Sequence, residues 1–507
     1  MRRLIYLLAT ALFCAESCPA QQQDTLSVQE RIGLHTSIAQ AFRESLFLNP
    51  ANNFFRQTFS LSNLSVAGIL EDESQAITVE KGTGWRGFQV SMNSYIRLNE
   101  TSRAWGKAAY RNGEIQNVLW NESSDYDLIY PYVIADTIGG DMKSETYSFA
   151  GGYASQKGNW TFGGEVLYRA QIEYRGIDPR PRNVVNDLEA RVGANRKTGG
   201  QYVIGLSAEA RKYKQDGGIK YYNELGSSKA YHLSGLGMSY VRFDGNKFST
   251  HYQGNEFGGS VQLFPVGPKG WSGLFHYRHS HYIKKLPDQN NLPLNLLDKD
   301  RIQAEAAYSG HIRNHKWGVR LHGELDTRRG TENIYGEATG SIYPQISEAR
   351  QFKSDGQSMV LSAFYEHGGY KQWRLSASPD IGYNSRKDSY ASPYQYFNYS
   401  HLNASLTFNA LRMWEKQQLN FCLWALRSRK IDADLNIQEV TTPFAGSVMQ
   451  QDFRMQSGSH TRFGISAKWV VNILKNVALQ SEAGWEHGRY ADKVKTDRIW
   501  ISVGAYL

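Results

Sequence analysis

The feature that most constrains this chain is a two-residue periodicity of apolar side chains. In residues 160–175 the even positions carry Trp160, Phe162, Val166 and Tyr168, and the odd positions carry mainly charged and polar residues. Successive side chains of a β-strand point to opposite faces, so this pattern predicts a strand with one apolar and one polar face. Strands of soluble proteins usually run about 5–6 residues, whereas a membrane strand needs about 9–11, so this segment is long enough to cross a bilayer.

The same alternation recurs along the chain, in residues 301–312, 317–326, 373–384, 462–471, 477–486 and 498–507. Several strands begin directly after a short turn with a tryptophan, as at Trp160, Trp271, Trp317 and Trp373, where an interfacial aromatic girdle is expected. We therefore predict an all-β fold, a single transmembrane antiparallel β-barrel of about 16–20 strands with a short N-terminal helical segment.

Composition excludes the main alternatives. The 507 residues have a mean hydropathy of −0.53, and after the N-terminus no stretch of 18 consecutive apolar residues occurs, which argues against a helical membrane protein. The formal charge is +9, but lysine and arginine are interleaved with aspartate and glutamate. Because no compact basic patch is visible, we expect no nucleic-acid partner.

Connection lengths test the barrel independently, since such barrels alternate short periplasmic turns with longer extracellular loops. Short turns are predicted at residues 156–159, 198–200, 265–270, 313–316, 368–372, 414–417 and 474–476. Longer connections are predicted at residues 176–186, 215–230, 286–299, 330–357, 385–393, 430–458 and 489–497. We interpret Asp244-Gly245-Asn246 as one more turn, followed by a short extra strand, which makes twenty the preferred strand number.

The N-terminus has the features of a secretory signal peptide. Arg2 and Arg3 precede a short apolar run, and cleavage after Ala20 would follow small residues. Lipidation at Cys14 or Cys18 is the competing interpretation, although neither cysteine has the usual preceding residues. We predict a signal peptide at residues 1–20, a periplasmic or plug segment at 21–55 and an outer-membrane barrel at 56–507, with Cys422 the one cysteine of the mature chain.

Two segments lack the strand pattern. Residues 27–47 have helical spacing, with Val28, Ile32, Ala39, Phe42 and Leu46 on one face, and Ser27 and Glu30 form a candidate capping box. Residues 121–143 are mixed, and this stretch either folds into the lumen or forms a surface loop.

Two sequence features carry a resemblance to known families. The last strand ends in Tyr506-Leu507, similar to the C-terminal insertion signal of outer-membrane barrels, although those signals usually end in phenylalanine or tryptophan. A helical segment followed by Asn49-Pro50-Ala51 and a first strand is similar to the fatty-acid-transporter and porin-like barrels of Gram-negative bacteria. That resemblance implies an N-terminal hatch that plugs the barrel and a hydrophobic substrate. TonB-dependent receptors fit less well, because they combine a plug with about 22 strands.

The sequence favours a channel or facilitated transporter for a small solute or hydrophobic molecule. Charges of both signs on the polar faces predict a lumen lined by Glu165, Arg169, Glu173, Arg301, Glu305, Arg320, Glu324, Arg374, Asp380, Arg462 and Glu482. These charges can instead pair with one another and simply fill the interior.

Two other function classes stay open. A histidine cluster, His276, His279 and His281, makes an outer-membrane enzyme or a metal- or haem-binding barrel the first alternative, although girdle residues at the membrane boundary explain the cluster better than metal binding does. A surface adhesin or assembly partner is the second. We expect no cofactor, favour a role without catalysis, and expect location in the cell outer membrane. The expected partners are outer-membrane lipids, lipopolysaccharide and the barrel-assembly machinery.

Overall fold

The structure is a computed structural model that describes residues 26–223, 228–245, 248–340, 342–369, 372–443 and 445–507. The predicted signal peptide at residues 1–20, with Cys14 and Cys18, lies outside these residues. Within the described part of the chain, no helix has the length and apolar character needed to cross a membrane.

Eighteen of the strands in the described residues form one closed antiparallel barrel. The barrel closes because the first and last strands pair, with Val66 opposite Val503. The wall strands are β1 (Leu61–Glu73), β2 (Gly84–Arg97), β3 (Ser102–Val118), β5 (Gly140–Lys157), β6 (Trp160–Tyr174), β7 (Arg180–Thr198), β8 (Tyr202–Lys220), β11 (Phe248–Pro265), β12 (Gly270–Leu286), β13 (Leu292–Ile312), β14 (His315–Tyr335), β15 (Gln345–His367), β16 (Trp373–Tyr390), β17 (Gln395–Met413), β18 (Gln417–Asn436), β19 (His460–Leu474), β20 (Val477–Arg489) and β21 (Lys495–Tyr506).

The alternation in the sequence separates the outside of the barrel from its interior. In β6, Phe162 is 55% exposed whereas its neighbour Thr161 is fully buried. Large apolar side chains are exposed in the same alternating way on the other wall strands, for example Val192, Phe257, Ile381 and Ile501. Apolar surface exposed on this scale is unfavourable in water, so the barrel carries an apolar belt on its outside.

The two ends of the barrel differ. At the turn end, short connections such as residues 158–159, 313–314 and 475–476 join neighbouring strands, and the chain enters β1 and leaves β21 there. At the loop end, the connections include three long ones, residues 119–139, 221–247 and 437–459. The predicted positions of the short turns are therefore confirmed, and the three longest connections lie at the opposite end as predicted.

Most of the predicted long loops are shorter than the sequence indicated. Residues 330–357 were expected to be one loop, but β14 and β15 continue through most of them, with Arg329 paired to Lys353. Residues 286–299 and 385–393 are likewise largely strand. Charged residues on both faces hide the alternation there, while the backbone pairing of the wall continues beyond the apolar belt.

Eighteen strands lie within the predicted range, but the preferred number of twenty is wrong. β8 pairs directly with β11, so Asp244-Gly245 does not turn between two wall strands. The chain between them instead forms β9 (Ala230–Gly235) and β10 (Met238–Ser239), which make a separate three-stranded sheet with β4 (Ile134–Asp136). Apolar alternation alone cannot distinguish a short interior sheet from a wall strand, because both bury one face.

The predicted N-terminal helix is broken into pieces. The structure has α1 (Val28–His35), α2 (Ile38–Ala41) and 3-10 turns at Glu44–Leu48 and Pro50–Phe55. The capping box of Ser27 and Glu30 is confirmed at the start of α1. Of the predicted face, Val28, Ile32, Phe42 and Leu46 are buried and Ala39 is half-buried, so the apolar face is correct although the single straight helix is not.

Two further helices lie at the loop end. A single turn, α3 (Tyr126–Ile129), belongs to the connection between β3 and β5, and α4 (Ala445–Ser457) belongs to the connection between β18 and β19. The remaining 3-10 turns are Val79–Lys81, Val241–Phe243, Pro287–Gln289 and Ala491–Lys493.

Candidate functional site: the interior of the barrel

The N-terminal segment lies across the turn end of the barrel. Its helix α1 contacts β1 and β20, its helix α2 contacts β14 and β15, and the turn Pro50–Phe55 contacts β3 and β5 to β8. Side-chain bonds fix these contacts. Ser37 Oγ donates to Glu366 at 3.0 Å, Ser45 Oγ donates to Glu305 at 2.7 Å, and Arg320 donates to the carbonyl of Phe42 at 3.2 Å.

Glycines in the wall make room for Asn49-Pro50-Ala51. A Cβ placed on Gly163 would lie 2.6 Å from the backbone of Pro50 and Ala51, and one on Gly193 would lie 1.8 Å from Asn49 Oδ1. Gly163 and Gly193 are register partners on β6 and β7, so they open one continuous cradle.

The side chain of Asn49 is bonded on all sides within this cradle. The two N–H groups of its amide are shared among three acceptors, Asn195 Oδ1 at 3.0 Å, Gln262 Oε1 at 2.9 Å and the carbonyl of Leu206 at 3.1 Å. Because Asn49 is fully buried, each of these bonds offsets a desolvation cost, and the cradle holds the segment at a specific position.

The long connections of the loop end fold inward. Residues 119–139 pack in the interior, where β4 pairs with β9. Of the two possibilities left open by the sequence, a fold into the lumen or a surface loop, the structure has the first. Wall side chains hold this packing, since Lys284 Nζ donates to the carbonyl of Val133 at 3.0 Å and Tyr252 donates to that of Tyr132 at 2.8 Å. Both ends of the barrel are thus filled by the chain itself.

A buried ion pair anchors the first inward connection. Arg175 lies 2.9 Å from Glu122 and 3.9 Å from Asp136, and all three side chains are shielded from solvent. Burial, followed by the nearby Asp136 charge, raises the pKa of Glu122 well above its usual value, and Arg175 opposes that rise.

A ladder of alternating charges crosses one side of the interior between the two ends. Arg169 lies 2.7 Å from Asp125 and 3.1 Å from Asp187, and Arg211 lies 2.7 Å from Asp187. Arg278 continues the ladder with Glu209 at 2.7 Å, Glu189 at 3.0 Å and Glu256 at 3.2 Å. Neighbouring strands present opposite signs at the same level, so each charge has a partner in its own layer.

Two cavities lie in the half of the interior nearer the loop end. The inner cavity, about 350 Å³, borders the charge ladder and is lined by Asp125, Tyr126, Asp127, Leu128, Arg169, Arg211, Glu256, Arg278, Ser280, Lys299, Arg301, Asp326 and Arg328. The outer cavity, about 320 Å³, lies among the inward connections, including residues of Val79–Lys81, β9, β10 and α4. Helix α3 separates the cavities, because Tyr126, Asp127 and Arg328 line both.

The structure assigns bonding partners to the predicted lumen residues. Five of them bond to the N-terminal segment or to the connection of residues 119–139. Arg374 and Arg320 donate to carbonyls of Gly33 and Phe42, Glu305 accepts from Ser45, Arg169 pairs with Asp125, and Glu173 accepts from Ser124.

The other six bond to neighbours on the wall. Glu165 accepts from Trp105, Asp380 accepts from Ser405, and Glu324 accepts from Gln303. Arg301 pairs with Asp326, Arg462 with Glu486, and Glu482 with Lys468. Whether these charges line a conducting path stays a prediction.

The structure does not bring the three cluster histidines together. His276 faces the interior and contacts Glu209 at 2.8 Å, whereas His279 and His281 pair with Asp300 and Asp298. In the described ranges, no group of three or more histidine, cysteine, aspartate or glutamate side chains has a metal-binding arrangement. Metal or haem binding by the cluster therefore gains no geometric support.

Several interior residues were missed by the sequence analysis, mainly Asp187, Glu189, Glu256 and the loop residue Asp125. The first three follow the same alternation on β7 and β11 and were within reach of the pattern. Asp125 could not be found in this way, because it comes from a connection and meets the wall through tertiary folding alone.

Comparisons with known proteins give one family and several distant barrels. The family model described as "Family of unknown function (DUF6850)" matches residues 50–507. No curated protein matches the chain. The solved structures with similarity include BauA, the ferric preacinetobactin receptor from Acinetobacter baumannii, which is 9% identical over 87% of this chain and 80% of that chain with a TM-score of 0.41.

Two further solved structures are similar at a comparable level. Fiu, the ferric-catecholate import receptor from E. coli K12, is 9% identical over 87% of this chain and 81% of that chain, with a TM-score of 0.37. A bacterial polysaccharide outer membrane secretin is 8% identical over 89% of this chain and 99% of that chain, with a TM-score of 0.33.

Proposed function

We propose that this chain, which belongs to the family of unknown function DUF6850, is an outer-membrane barrel that passes a small polar solute after its N-terminal plug moves. A closed barrel with an apolar outer belt and a charged interior suits a bilayer, because it leaves no unpaired strand edge in lipid. The short turns then face the periplasm and the long connections face the outside.

The observation that carries this proposal is the fit of Asn49-Pro50-Ala51 into the glycine cradle of β6 and β7. A segment that only linked the signal peptide to the barrel would not need a shaped seat in the wall. Here the seat is specific, whereas elsewhere the segment is held by single polar bonds to scattered strands and by apolar packing of Val28, Ile32, Phe42 and Leu46. Such an element can hold one position firmly and still leave it as a unit.

The charge ladder favours a polar or charged solute. Rows of opposite charge around a narrow aqueous path bias the local concentration of ions and orient a dipolar solute. The inner cavity lies against this ladder, so a solute leaving the loop end meets both signs of charge before it reaches the plug.

The test uses Gly163→Ala, which places a methyl group against the backbone of the plug. The atoms 2.6 Å from the new methyl are backbone atoms of Pro50 and Ala51. Unlike a flexible side chain, they cannot rotate away, so the whole segment must shift. We expect purified Gly163→Ala protein in planar bilayers to give discrete conductance steps at least tenfold more often than the unaltered protein. The matched control is Gly151→Ala on the adjacent strand β5, where an added Cβ meets nothing within 4 Å.

Deletion of residues 26–55 should raise conductance further, because it removes the whole plug. If the deletion, Gly163→Ala and the unaltered protein are all silent while both variants keep the heat-dependent gel shift of a folded barrel, the barrel does not conduct and the proposal fails.

A further inference from the structure

The outer cavity contains a pair of carboxyl groups that the charge ladder does not use. Glu80, from the turn Val79–Lys81, and Asp452, from α4, both line this cavity. The backbone N–H of Val79 donates to Asp452 Oδ1 at 2.9 Å. Glu80 Oε2 is buried and receives no hydrogen bond from the described residues. A buried carboxylate oxygen without a donor is costly unless something else satisfies it.

The cations of the same cavity are already paired with other carboxylates. Lys81 lies 2.6 Å from Asp127, and Arg386 lies 2.8 Å from Asp388. Arg328 donates to the carbonyl of Asp127 at 2.7 Å and lies 3.2 Å from Asp326. Glu80 and Asp452 are therefore the acidic groups of the cavity that lack an ion-pair partner of their own among the described residues.

Aromatic and apolar side chains form much of the remaining wall. Trp120, Tyr126, Tyr130 and Phe397 lie on the lining, together with the thioethers of Met238 and Met449. Aromatic faces attract organic cations, and methionine adapts to irregular apolar shapes. The cavity thus joins an apolar surface to an acidic pair, and its volume of about 320 Å³ is in the range of small-molecule sites.

We propose that the outer cavity binds a small amphiphilic organic cation, with an ammonium or guanidinium group between Glu80 and Asp452 and a ring or short alkyl group against the aromatic wall. A charge-assisted donor there would satisfy Glu80 Oε2 and separate the two carboxylates. This inference names the class of solute for the proposed channel and rests on that proposal only for the solute's onward passage.

The test compares three probes of one shape: phenethylamine, 2-phenylethanol and phenylacetate. Binding to the purified full barrel is measured by titration calorimetry in one detergent. We expect phenethylamine to bind at least tenfold more tightly than either of the other probes. Glu80→Gln and Asp452→Asn, which keep the shape and remove one ionisable carboxyl group each, should each weaken phenethylamine binding at least tenfold and leave 2-phenylethanol binding unchanged.

The matched control is Glu439→Gln, which removes an exposed charge from the connection that also carries α4 but does not line the cavity. A second variant, Trp120→Leu, should weaken phenethylamine and 2-phenylethanol alike, because it removes part of the aromatic wall. The heat-dependent gel shift reports that each variant is folded.

The inference is overturned if phenylacetate binds best, or if phenethylamine binding is absent or is unchanged in both Glu80→Gln and Asp452→Asn. Its failure is separable from failure of the channel. Phenethylamine binding without conductance in the plug variants would support this site and contradict the channel. Conductance without phenethylamine binding would support the channel and contradict this site.

Discussion

At the residue scale, the interior of this barrel is governed by how each buried charge finds a partner. Arginines on the wall form ion pairs with carboxylates of the next strand, as in the bidentate pair of Arg211 and Asp187. Glu80 and Asp452 depart from this pattern, since two acids face each other where α4 meets the turn Val79–Lys81. Burial raises the pKa of both groups, and for Asp452 the Glu80 charge adds to the rise.

This pair predicts a pH dependence of the packing of α4. A carboxyl whose pKa is higher in the folded protein than in the unfolded chain binds its proton more tightly when folded. The stabilisation is therefore complete below the ordinary pKa of about 4.5 and is lost as the pH rises through the raised value. We expect hydrogen exchange of residues 445–457, corrected for the intrinsic rate, to accelerate as the pH rises from mildly acidic to mildly alkaline.

Asp452→Asn supplies the control, because asparagine can still accept from Val79 and cannot ionise. Its exchange should show a weaker pH dependence, because only the Glu80 carboxyl of the pair remains to titrate. Stronger protection at higher pH in the unaltered protein would show that the pair is not held in its protonated form.

At the element scale, the inward connections are structural units. Wall side chains donate hydrogen bonds to their backbone carbonyls and form buried ion pairs with their side chains. Residues 119–139 contain α3, which separates the two cavities, and Glu122 and Asp136 of this connection meet Arg175 at the rim of the wall. Removing one member of a buried ion pair leaves an uncompensated charge, which costs about 3–5 kcal/mol.

Arg175→Met should therefore release this connection from the interior. We expect the free energy for local opening of residues 119–139, measured by native-state hydrogen exchange, to fall by about 3–5 kcal/mol. Arg180→Met is the matched control, since Arg180 is well exposed in its pair with Asp178 and should change the value by less than about 0.5 kcal/mol. Equal effects of the two variants would mean that burial of Arg175 does not decide the packing.

At the scale of the whole molecule, the barrel is asymmetric from end to end. Both the N-terminal segment and Leu507 lie at the turn end, whereas the long connections all lie at the loop end. Long connections need space outside the bilayer to fold, and short turns suit the side from which a barrel inserts.

This asymmetry predicts the orientation in the cell. A cysteine in place of Glu439 at the loop end should react with an impermeant maleimide on intact cells, in a background that replaces Cys422 with serine. A cysteine in place of Lys475 at the turn end should react only after the outer membrane is opened. Both positions are exposed, so access to the side chain itself is equal. The reverse labelling pattern would show that the barrel has the opposite orientation in the membrane.

The sequence by itself determined the wall of this protein and the positions of its short turns. Both depend on local physics: the two-residue period separates lipid-facing from interior side chains, and glycine-, asparagine- and lysine-rich breaks mark the turns. It also determined the capping box of α1 and the buried face of the N-terminal segment. Most of the charge ladder was within reach for the same reason, since Arg169 and Glu209 lie on the polar faces.

Only the tertiary structure decided where the connections go and how many strands close the barrel. Strand number depends on whether residues 230–239 join the wall or the small interior sheet, and the alternation is the same in both cases. The seat of Asn49 depends on Gly163 and Gly193 being register partners, and the acidic pair depends on Glu80 meeting Asp452 across more than half of the chain. Such contacts join residues far apart in sequence, so no local period or spacing encodes them, and the energy that selects them comes from burial and bonding in the closed barrel.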